Sequence, residues 1–487
     1  MVICTQDMAQ DAGGRHRTGI MLKKAILLVS GNALGSALLL LRNLIVARLI
    51  SPEDYGIAAT FAIAMSVVEM LSYFGLNQMI VVDRDGDEPD FQAAMQGFQV
   101  LRGLFSSLVL FAIAHPYARF LGIEQVAWAY QVIAAIPLIN GLQHFDMHRL
   151  KRHMRFAPSV IANVVPALVS VLAVWPLAVL YGDYRIMLVA LMIQAAAMVV
   201  LSHWTAERRY RLRLDFALMR RATVFGWPLL LNGALLFGVF NGERLIVGRE
   251  MGMAQLAVFS MAMTLTLTPT LVLAGSCQSF FLPQLSALRD RAEAFQRLGI
   301  AAIEAGLVIG LMLILGASLL GGPVVHLLLG AKFDGILPIL VPIAVLQAVR
   351  VAKTGGSLVA LARERSGNAV IANLFRIASL PLSWLVAIRT GDMLAIIWIA
   401  TAAEVMGFLA GLWLTRGRVG MRLAPLMLPA VLSALACVVV VIDAGLHPPQ
   451  PGLAAHLHPL HWIVGLSVLA ALAAMGGLRG YLWRRLS

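Results

Sequence analysis

"RNLIVARLISPEDYG", residues 42–56, sets Arg42 and Asn43 inside an apolar run and ends the run on Ser-Pro-Glu-Asp-Tyr-Gly. Proline in a first turn, with two acids beside it at the positive end of the helix dipole, is the signature of a helix start. The stretch therefore closes one helix and opens the next. A charge at the centre of a bilayer costs at least about 2.5–3.5 kcal/mol on insertion scales, so an arginine this deep must face the protein interior or a wet cavity.

The rest of the 487 residues has the same texture. The chain is 60% hydrophobic and 13% charged, with a mean hydropathy of +0.83; soluble domains carry roughly 25% charged residues. Apolar runs long enough to cross a bilayer fall at 25–50, 56–82, 93–114, 126–143, 157–181 and 185–203. A second series follows at 222–248, 254–280, 299–320, 336–360, 367–388 and 393–414, then two more runs at 424–444 and 460–478. The expectation is an all-α integral membrane protein of about fourteen helices. Its parts are an N-terminal extension (1–24), a first lobe of six helices (25–221), a second lobe of six (222–422), and a final helix pair with a tail (423–487). Residues 1–20 lack the apolar core of a signal peptide and read as an extension ahead of a start at Met21.

The net charge of +13 resides in short clusters between the runs: "HRLKRHMR" (148–155), "ERRYRLRLDFALMRR" (207–221), "RDRAEAFQR" (289–297), "RER" (363–365) and "TRGRVGMR" (415–422). Nucleic-acid binding needs a continuous basic face, so membrane topology accounts for these clusters better. They occupy alternate loops, which puts both termini in the cytoplasm. The first two clusters mix arginine with apolar residues and read as interfacial helices on anionic lipid headgroups. One loop dissents: "DRDGDEPD" (83–90) belongs to the cytoplasmic set yet is acidic. Its Asp-x-Asp spacings imitate a metal-nucleotide site, but it is too short for a nucleotide-binding fold, and Glu88 stands where a calcium loop needs glycine.

No metal or cofactor site is expected. Cys4, Cys277 and Cys437 are far apart and read as packing residues. His447, His456, His458 and His461 cluster in a proline-rich external loop, where two or three could capture a metal though flexible-loop histidines are the favoured reading, and no phosphate-binding glycine loop occurs.

"LIVARLISPEDYGIAATFA" (44–62) and "LIVGREMGMAQLAVFSMAM" (245–263) match at Leu-Ile-Val-small-Arg, with Arg48 and Arg249 201 residues apart. Each copy closes the first helix of a six-helix series. Units with an even number of spans share one orientation, as parallel transporter repeats do.

Residues three or four apart share a helix face, and several spans carry polar stripes on that spacing. One joins Ser66, Glu69, Tyr73 and Asn77; others join Gln92, Gln96, Gln99 and Arg102, then Gln347, Arg350, Thr354 and Ser357, then Asn373, Arg376, Ser379 and Ser383. Together with Arg42, Asn43, Arg244 and Lys353 they outline a hydrophilic chamber between two lobes, slightly richer in cations than in anions and suited to a polar, anionic solute. Glu69, Glu304 and Glu404 are the candidates for ion coupling. Against that reading, Arg48 and Arg249 near helix ends reach the headgroups by snorkelling, and Glu243, Arg244 and Glu404 serve as structural partners of neighbouring helices.

The stretch "GNALGSALLLLRNLIVARLISPEDYGIAATFAIA" (31–64), followed by "YFGLNQMIV" (73–81), resembles the Wzx-type polysaccharide flippases of the multidrug/oligosaccharidyl-lipid/polysaccharide exporter superfamily. That resemblance implies two six-helix lobes in a V around a central cavity, two further C-terminal helices, and alternating access. It also implies an undecaprenyl-diphosphate-linked glycan as cargo, moved across the bacterial cytoplasmic membrane for exopolysaccharide, O-antigen or capsule synthesis. Implied partners are membrane lipids and the polysaccharide polymerase and chain-length machinery. Arginine suits diphosphate because its planar fork pairs phosphate oxygens two at a time. A drug or cation antiporter of the same superfamily would want an acid-dominated pocket. A membrane glycan polymerase or ligase would want a large external loop, and a glycosyltransferase metal-binding acids outside the membrane. The expected protein is a transporter and no enzyme.

Overall fold

The computed structural model describes residues 27–71, 74–365, 367–447 and 459–486. Cys4, Tyr73, His456, His458, the His461 side chain and the N-terminal extension lie outside the described residues. All regular structure among the described residues is helical. Eleven helices are long and apolar enough to cross a membrane, and thirteen if two sharply bent pairs each make one span. The expected fourteen included α2, Pro52–Leu71, which stands outside those eleven and carries Glu53, Asp54 and Glu69.

The opening stretch forms the junction it spells. Helix α1, Leu27–Leu49, ends before Ser51, and α2 begins at Pro52. The Asp54 backbone N–H donates to the Ser51 hydroxyl (3.1 Å), which in turn donates to the Asp54 carboxylate (2.6 Å). This reciprocal cap satisfies first-turn donors that a helix leaves open. The second copy of the repeat has the same register: α10, Phe216–Met251, gives way to α11 at Met253, which lies as far from Pro52 as Arg249 does from Arg48.

The chain divides into two compact units. The first comprises the residues up to Val46 together with Ala64–Gly233; the second comprises Ala47–Ile63 and the chain from Ala234 onward. The first holds α3 (Leu76–Val82), α4 (Pro89–Phe120), α5 (Ala127–Ile133), α6 (Ala135–Gly141), α7 (Asp146–Arg152), α8 (Ala157–Leu180) and α9 (Arg185–Trp204). Three apolar runs are not the straight spans that hydropathy predicts. The run 56–82 breaks between α2 and α3, where Gly75 takes a left-handed φ of 63°. The run 126–143 is α5 and α6, and the pair they form with α7 is bent by 49°. The run 460–478 becomes α18, Pro459–Ala473, and α19, Gly476–Leu486, bent by 63°. Hydropathy averages over such breaks, because a kinked segment is as apolar as a straight one.

The second unit adds the remainder of α10, α11 (Met253–Ala287), α12 (Ala292–Leu329), α13 (Leu337–Ala362), α14 (Gly367–Ala378), α15 (Leu380–Thr390), α16 (Met393–Val419) and α17 (Ala424–Leu446). The break between α14 and α15 falls at Ser379, two residues before Pro381, whose ring cannot continue the hydrogen-bond ladder. Helix α13 is the most enclosed of the eleven and packs on α12 through a shared apolar core including Leu298, Ile303, Leu307, Leu358 and Val359. Cys277 and Cys437 are half-buried against that core. Outward faces such as Leu172, Trp175 and Val179 are exposed apolar surface, as lipid contact requires.

Candidate functional site

In the second unit, α10, α13, α14 and α16 bring six charged side chains from distant parts of the sequence together. Glu404, fully buried on α16, accepts from Arg350 Nε at 3.0 Å and from Lys353 Nζ at 2.6 Å, and Arg376 Nε lies 3.5 Å away. Arg376 also pairs with Glu243 at 2.5 Å, and those two side chains are only 1% and 2% exposed. Arg244, on α10 beside Glu243, lies within electrostatic reach of Arg350. Gln347 accepts from Arg350 at 3.1 Å, Asn373 accepts from Lys353 at 2.9 Å, and the Phe240 ring lies 5.1 Å below the Arg350 guanidinium. Four cations thus converge on two carboxylates, leaving a formal charge of +2 among these side chains. Nη2 of Arg350, Nη2 of Arg376 and Nε of Arg244 are buried with no hydrogen-bond partner among the described residues. Each guanidinium carries five donors, so the cluster has donors to spare for an added anion.

Only part of each polar stripe in this unit faces the cluster. Thr354 and Ser357 return their hydroxyls to α13's own carbonyls, and Ser379 does the same on α14. What reaches the cluster from these stripes is Gln347, Arg350, Asn373 and Arg376.

The first unit is built differently. Helices α4 and α6 approach at Gly103 and Gly141, where an added Cβ on Gly103 would meet the Pro137 carbonyl oxygen at 2.6 Å. Their closeness sets Gln99 and Arg102 opposite Asn140 and Gln143, and with Glu69 and Asn77 these side chains line a cavity of about 220 Å³. That is below the roughly 300–1,000 Å³ of a pocket for a drug-sized ligand, so it suits one polar moiety of a larger molecule. Glu69 is exposed at this cavity, within electrostatic reach of Arg102.

Arg42 is elsewhere. It is 6% exposed and donates to Ser170 of α8 at 2.9 Å and to Gln194 of α9 at 2.5 Å, both neutral. Its neighbour Asn43 is half-buried. The stripe on α4 also divides: Gln99 and Arg102 face the cavity, while Gln92 bonds Arg208 of a loop.

Glu304 has a structural partner. Its carboxylate accepts from the backbone N–H groups of Leu478 (2.6 Å) and Gly477 (3.4 Å), so it caps the start of α19. Glu404 is committed as counter-ion to three cations. Glu69 and Glu304 both line cavities, that of Glu304 being about 550 Å³ with Gln284, Gln296 and Arg297 in its wall, but the Glu304 carboxylate is already engaged by the amides of α19. Arg48 is exposed near the end of α1 and donates to the Leu327 carbonyl.

The dissenting acidic loop is a clasp. Arg221 pairs with Asp83 and Asp85, each at 2.7 Å; Arg213 pairs with Asp90 at 2.7 Å; and Asp87 meets His153 at 2.7 Å and Arg152 at 3.5 Å. Burial pushes the Asp87 carboxyl up, but the His153 hydrogen bond and the charges of His153, Arg152 and Arg149 outweigh it and hold it below the usual range. The acids therefore sit among the arginines of both neighbouring basic loops. The second of those loops is not the interfacial helix its composition predicts: residues 206–215 are irregular, and regular helix resumes at Phe216. Its backbone is tied instead to α4 and α7, through Arg213 N–H to the Ala93 carbonyl and Glu207 N–H to Asp146.

Sequence reasoning missed Ser170, Gln194, Phe240, Asn140 and Gln143. Gln194 carried a readable signal, an isolated amide in the run "LVALMIQAAAMVV" (188–200), because a lone polar group in an apolar span needs an internal partner. Phe240 carried none.

A family model described as "Polysaccharide biosynthesis protein" matches residues 45–338, more than half of the chain. The chain belongs to the polysaccharide biosynthesis protein family. The succinoglycan biosynthesis transport protein ExoT of Rhizobium meliloti (strain 1021) is 23% identical to this family member over 302 residues, which are 61% of this chain and 60% of that protein. Among solved structures, the lipid II flippase MurJ in an inward closed conformation superposes with a TM-score of 0.67 at 13% identity, over 95% of this chain and 99% of that one. A multidrug resistance MATE family transporter of the MOP superfamily, in an inward-facing conformation, gives 0.64 at 14% identity over 79% and 94%. At such identities the likeness fixes the fold. This polysaccharide biosynthesis protein is an integral membrane protein with the fold of MOP-superfamily transporters.

Proposed function

We propose that this protein is a flippase that carries a polyprenyl-diphosphate-linked oligosaccharide across the bacterial cytoplasmic membrane, with both termini in the cytoplasm. The observation that carries the reading is the cluster in which buried Arg350 and Arg376 and half-buried Lys353 and Arg244 gather around two buried carboxylates. A buried excess of positive charge is costly unless an anion joins it, and a diphosphate supplies one whose oxygens match the guanidinium fork. In this reading Arg350, Arg376, Lys353 and Arg244 meet the diphosphate, while Gln99, Asn77, Asn140 and Gln143 offer amides to sugar hydroxyls. Arg42 and Asn43 support the cargo path through α1, and Glu69 is the candidate for ion coupling. The two six-helix series, helices 1–6 and 7–12, would expose these groups alternately to the two membrane faces. The polymerase and chain-length machinery of the same glycan would take up the cargo outside.

The rival reading, export of a cationic drug, requires free carboxylates where the cargo binds. The two carboxylates of the cluster are already bound by arginine and lysine, and among the described residues Glu69 is the one acid lining the first unit's cavity, where Arg102 stands beside it; both disfavour that reading.

The test is the sidedness of lipid-linked glycan in cells lacking the protein, read with a membrane-impermeant probe. Complete repeat units accumulating on the cytoplasmic face, and cleared by the wild type, support flipping. Outward accumulation of unpolymerised units assigns a polymerase or ligase step, and no accumulation overturns the cargo assignment.

A further inference from the structure

A second cationic cavity, distinct from the cluster on α13, α14 and α16, lies in the first unit where the loop after α9 crosses the start of α4. Its volume is about 230 Å³, and Arg208, Arg209, Arg211, Gln92, Gln96 and Pro89 line it. Among the described residues, no carboxylate lines it. Arg208 is held in place, its backbone N–H donating to Asp146 at 3.3 Å and its Nη1 to Gln92 Oε1 at 3.2 Å. Arg209 and Arg211 are exposed, and neither has an ion pair among the described residues, although Arg213 and Arg221 nearby are all tied to acids. Gln96 is 1% exposed; its amide oxygen accepts from Gln92 at 3.4 Å and its side chain meets that of Tyr210, which can take at most one of the two Nε2 hydrogens.

The cavity is shaped by close packing. Gly97 lets the loop lie directly on α4: a Cβ there would fall 2.2 Å from the Arg213 carbonyl oxygen. The positive end of the α4 dipole at Pro89 adds to the field of the three guanidinium groups.

We propose that this cavity binds a phosphate group. Three guanidinium groups and a buried amide donor with spare capacity are the donor set that phosphate oxygens take. The surroundings indicate that the phosphate is borne by a lipid. Trp204, Leu212, Leu214 and Phe216, on the same stretch of chain, are 76%, 52%, 58% and 80% exposed, and such apolar side chains interleaved with arginine mark contact with the headgroup region. The site is thus a docking point for an anionic phospholipid on the basic-loop side of the protein, and the inference does not depend on the cargo.

The experiment is native mass spectrometry of the purified full chain titrated with phosphatidylglycerol. The double variant Arg209→Gln/Arg211→Gln is expected to lower lipid retention by about thirty-fold, two arginine contacts' worth near an anionic surface. The matched variant Arg389→Gln/Arg416→Gln, with the same loss of charge elsewhere, is expected to retain lipid as the wild type does, and Arg209→Lys/Arg211→Lys to retain most of it. Displacement by excess inorganic phosphate would make the physiological ligand a soluble phosphate at the same site; persistence of the lipid assigns the headgroup. Wild-type retention by the double glutamine variant, or equal loss in the matched control, overturns the proposal.

Discussion

The candidate sites of the two units handle charge in opposite ways. In the second, cations close on carboxylates: Arg350, Lys353 and Arg376 converge on Glu404, Arg376 also holds Glu243, and the cluster is nearly sealed. At the first unit's cavity and along α1, polar groups open on space or meet neutral partners: Gln99, Arg102 and Glu69 line a cavity, and Arg42 donates to a hydroxyl and an amide, while among its described residues the same unit buries an ion pair only beside its basic loops, between Arg149 and Asp146. The difference teaches what each region does without cargo. Three cations gather on one carboxylate, and under the proposed function Glu404 would be a resident anion that keeps them together until a cargo anion shares them. Amides around a cavity need no such substitute, because water satisfies them.

The sharpest way to break this contrast is Glu404→Ala. Removing the shared counter-ion leaves three cations facing one another, and breaking a buried pair of this kind costs about 3–5 kcal/mol. Thermal unfolding in detergent should show the largest loss of any single substitution discussed, and an unchanged melting temperature would mean that the cluster is wet. Next is Arg350→Ala, expected to cut glycan export at least about tenfold while the protein still inserts; Arg350→Lys separates the causes, retaining export if charge alone matters and little if the two-pronged geometry does. Normal export in Arg350→Ala and Arg376→Ala, singly and together, would remove the cluster from the cargo path.

Arg42→Ala sharpens the comparison from the other side. Loss of the bonds to Ser170 and Gln194 should cost about 1–3 kcal/mol, less than Glu404→Ala because those two partners are neutral. Glu69→Gln should leave stability within about 0.5 kcal/mol, as a change at a cavity wall does, while altering the dependence of export on the ion gradient. An unaltered dependence excludes Glu69 as the coupling group.

The smallest effect belongs to the acidic clasp, since exposed ion pairs contribute about 0–1 kcal/mol. The Asp87 carboxyl is held below its unfolded value, about 3.9, so its contribution is present above that value and fades as pH falls through the lower folded one. Hydrogen exchange across residues 83–90 should accelerate over that acidic window in the wild type, and at neutral pH in Arg221→Ala. Equal protection in the variant would show that packing rather than charge holds the loop.

The helical membrane fold was legible because apolar runs and the cap at Ser51–Asp54 are local signals. The kinks were not, because residues such as Ala134 and Ser379 end helices without interrupting hydropathy. Of the site, the arginines and glutamates announced themselves by their cost in an apolar span, but their pairing did not. Glu243 and Arg376 are joined only by the packing of α10 on α14, and no spacing in the sequence encodes that. Composition misjudged the loop at 207–215 for a related reason: it shows arginine and leucine, and nothing of the glycine at 97 that lets the chain lie against α4.

The most direct test of the central claim is binding of a polyprenyl diphosphate to the purified protein, compared between the wild type and Arg350→Ala/Arg376→Ala at equal folded fraction. The account predicts at least about a tenfold loss of affinity for the diphosphate, with polyprenol binding unchanged. Equal affinity for the diphosphate in both proteins would contradict it and leave the cluster a purely structural brace.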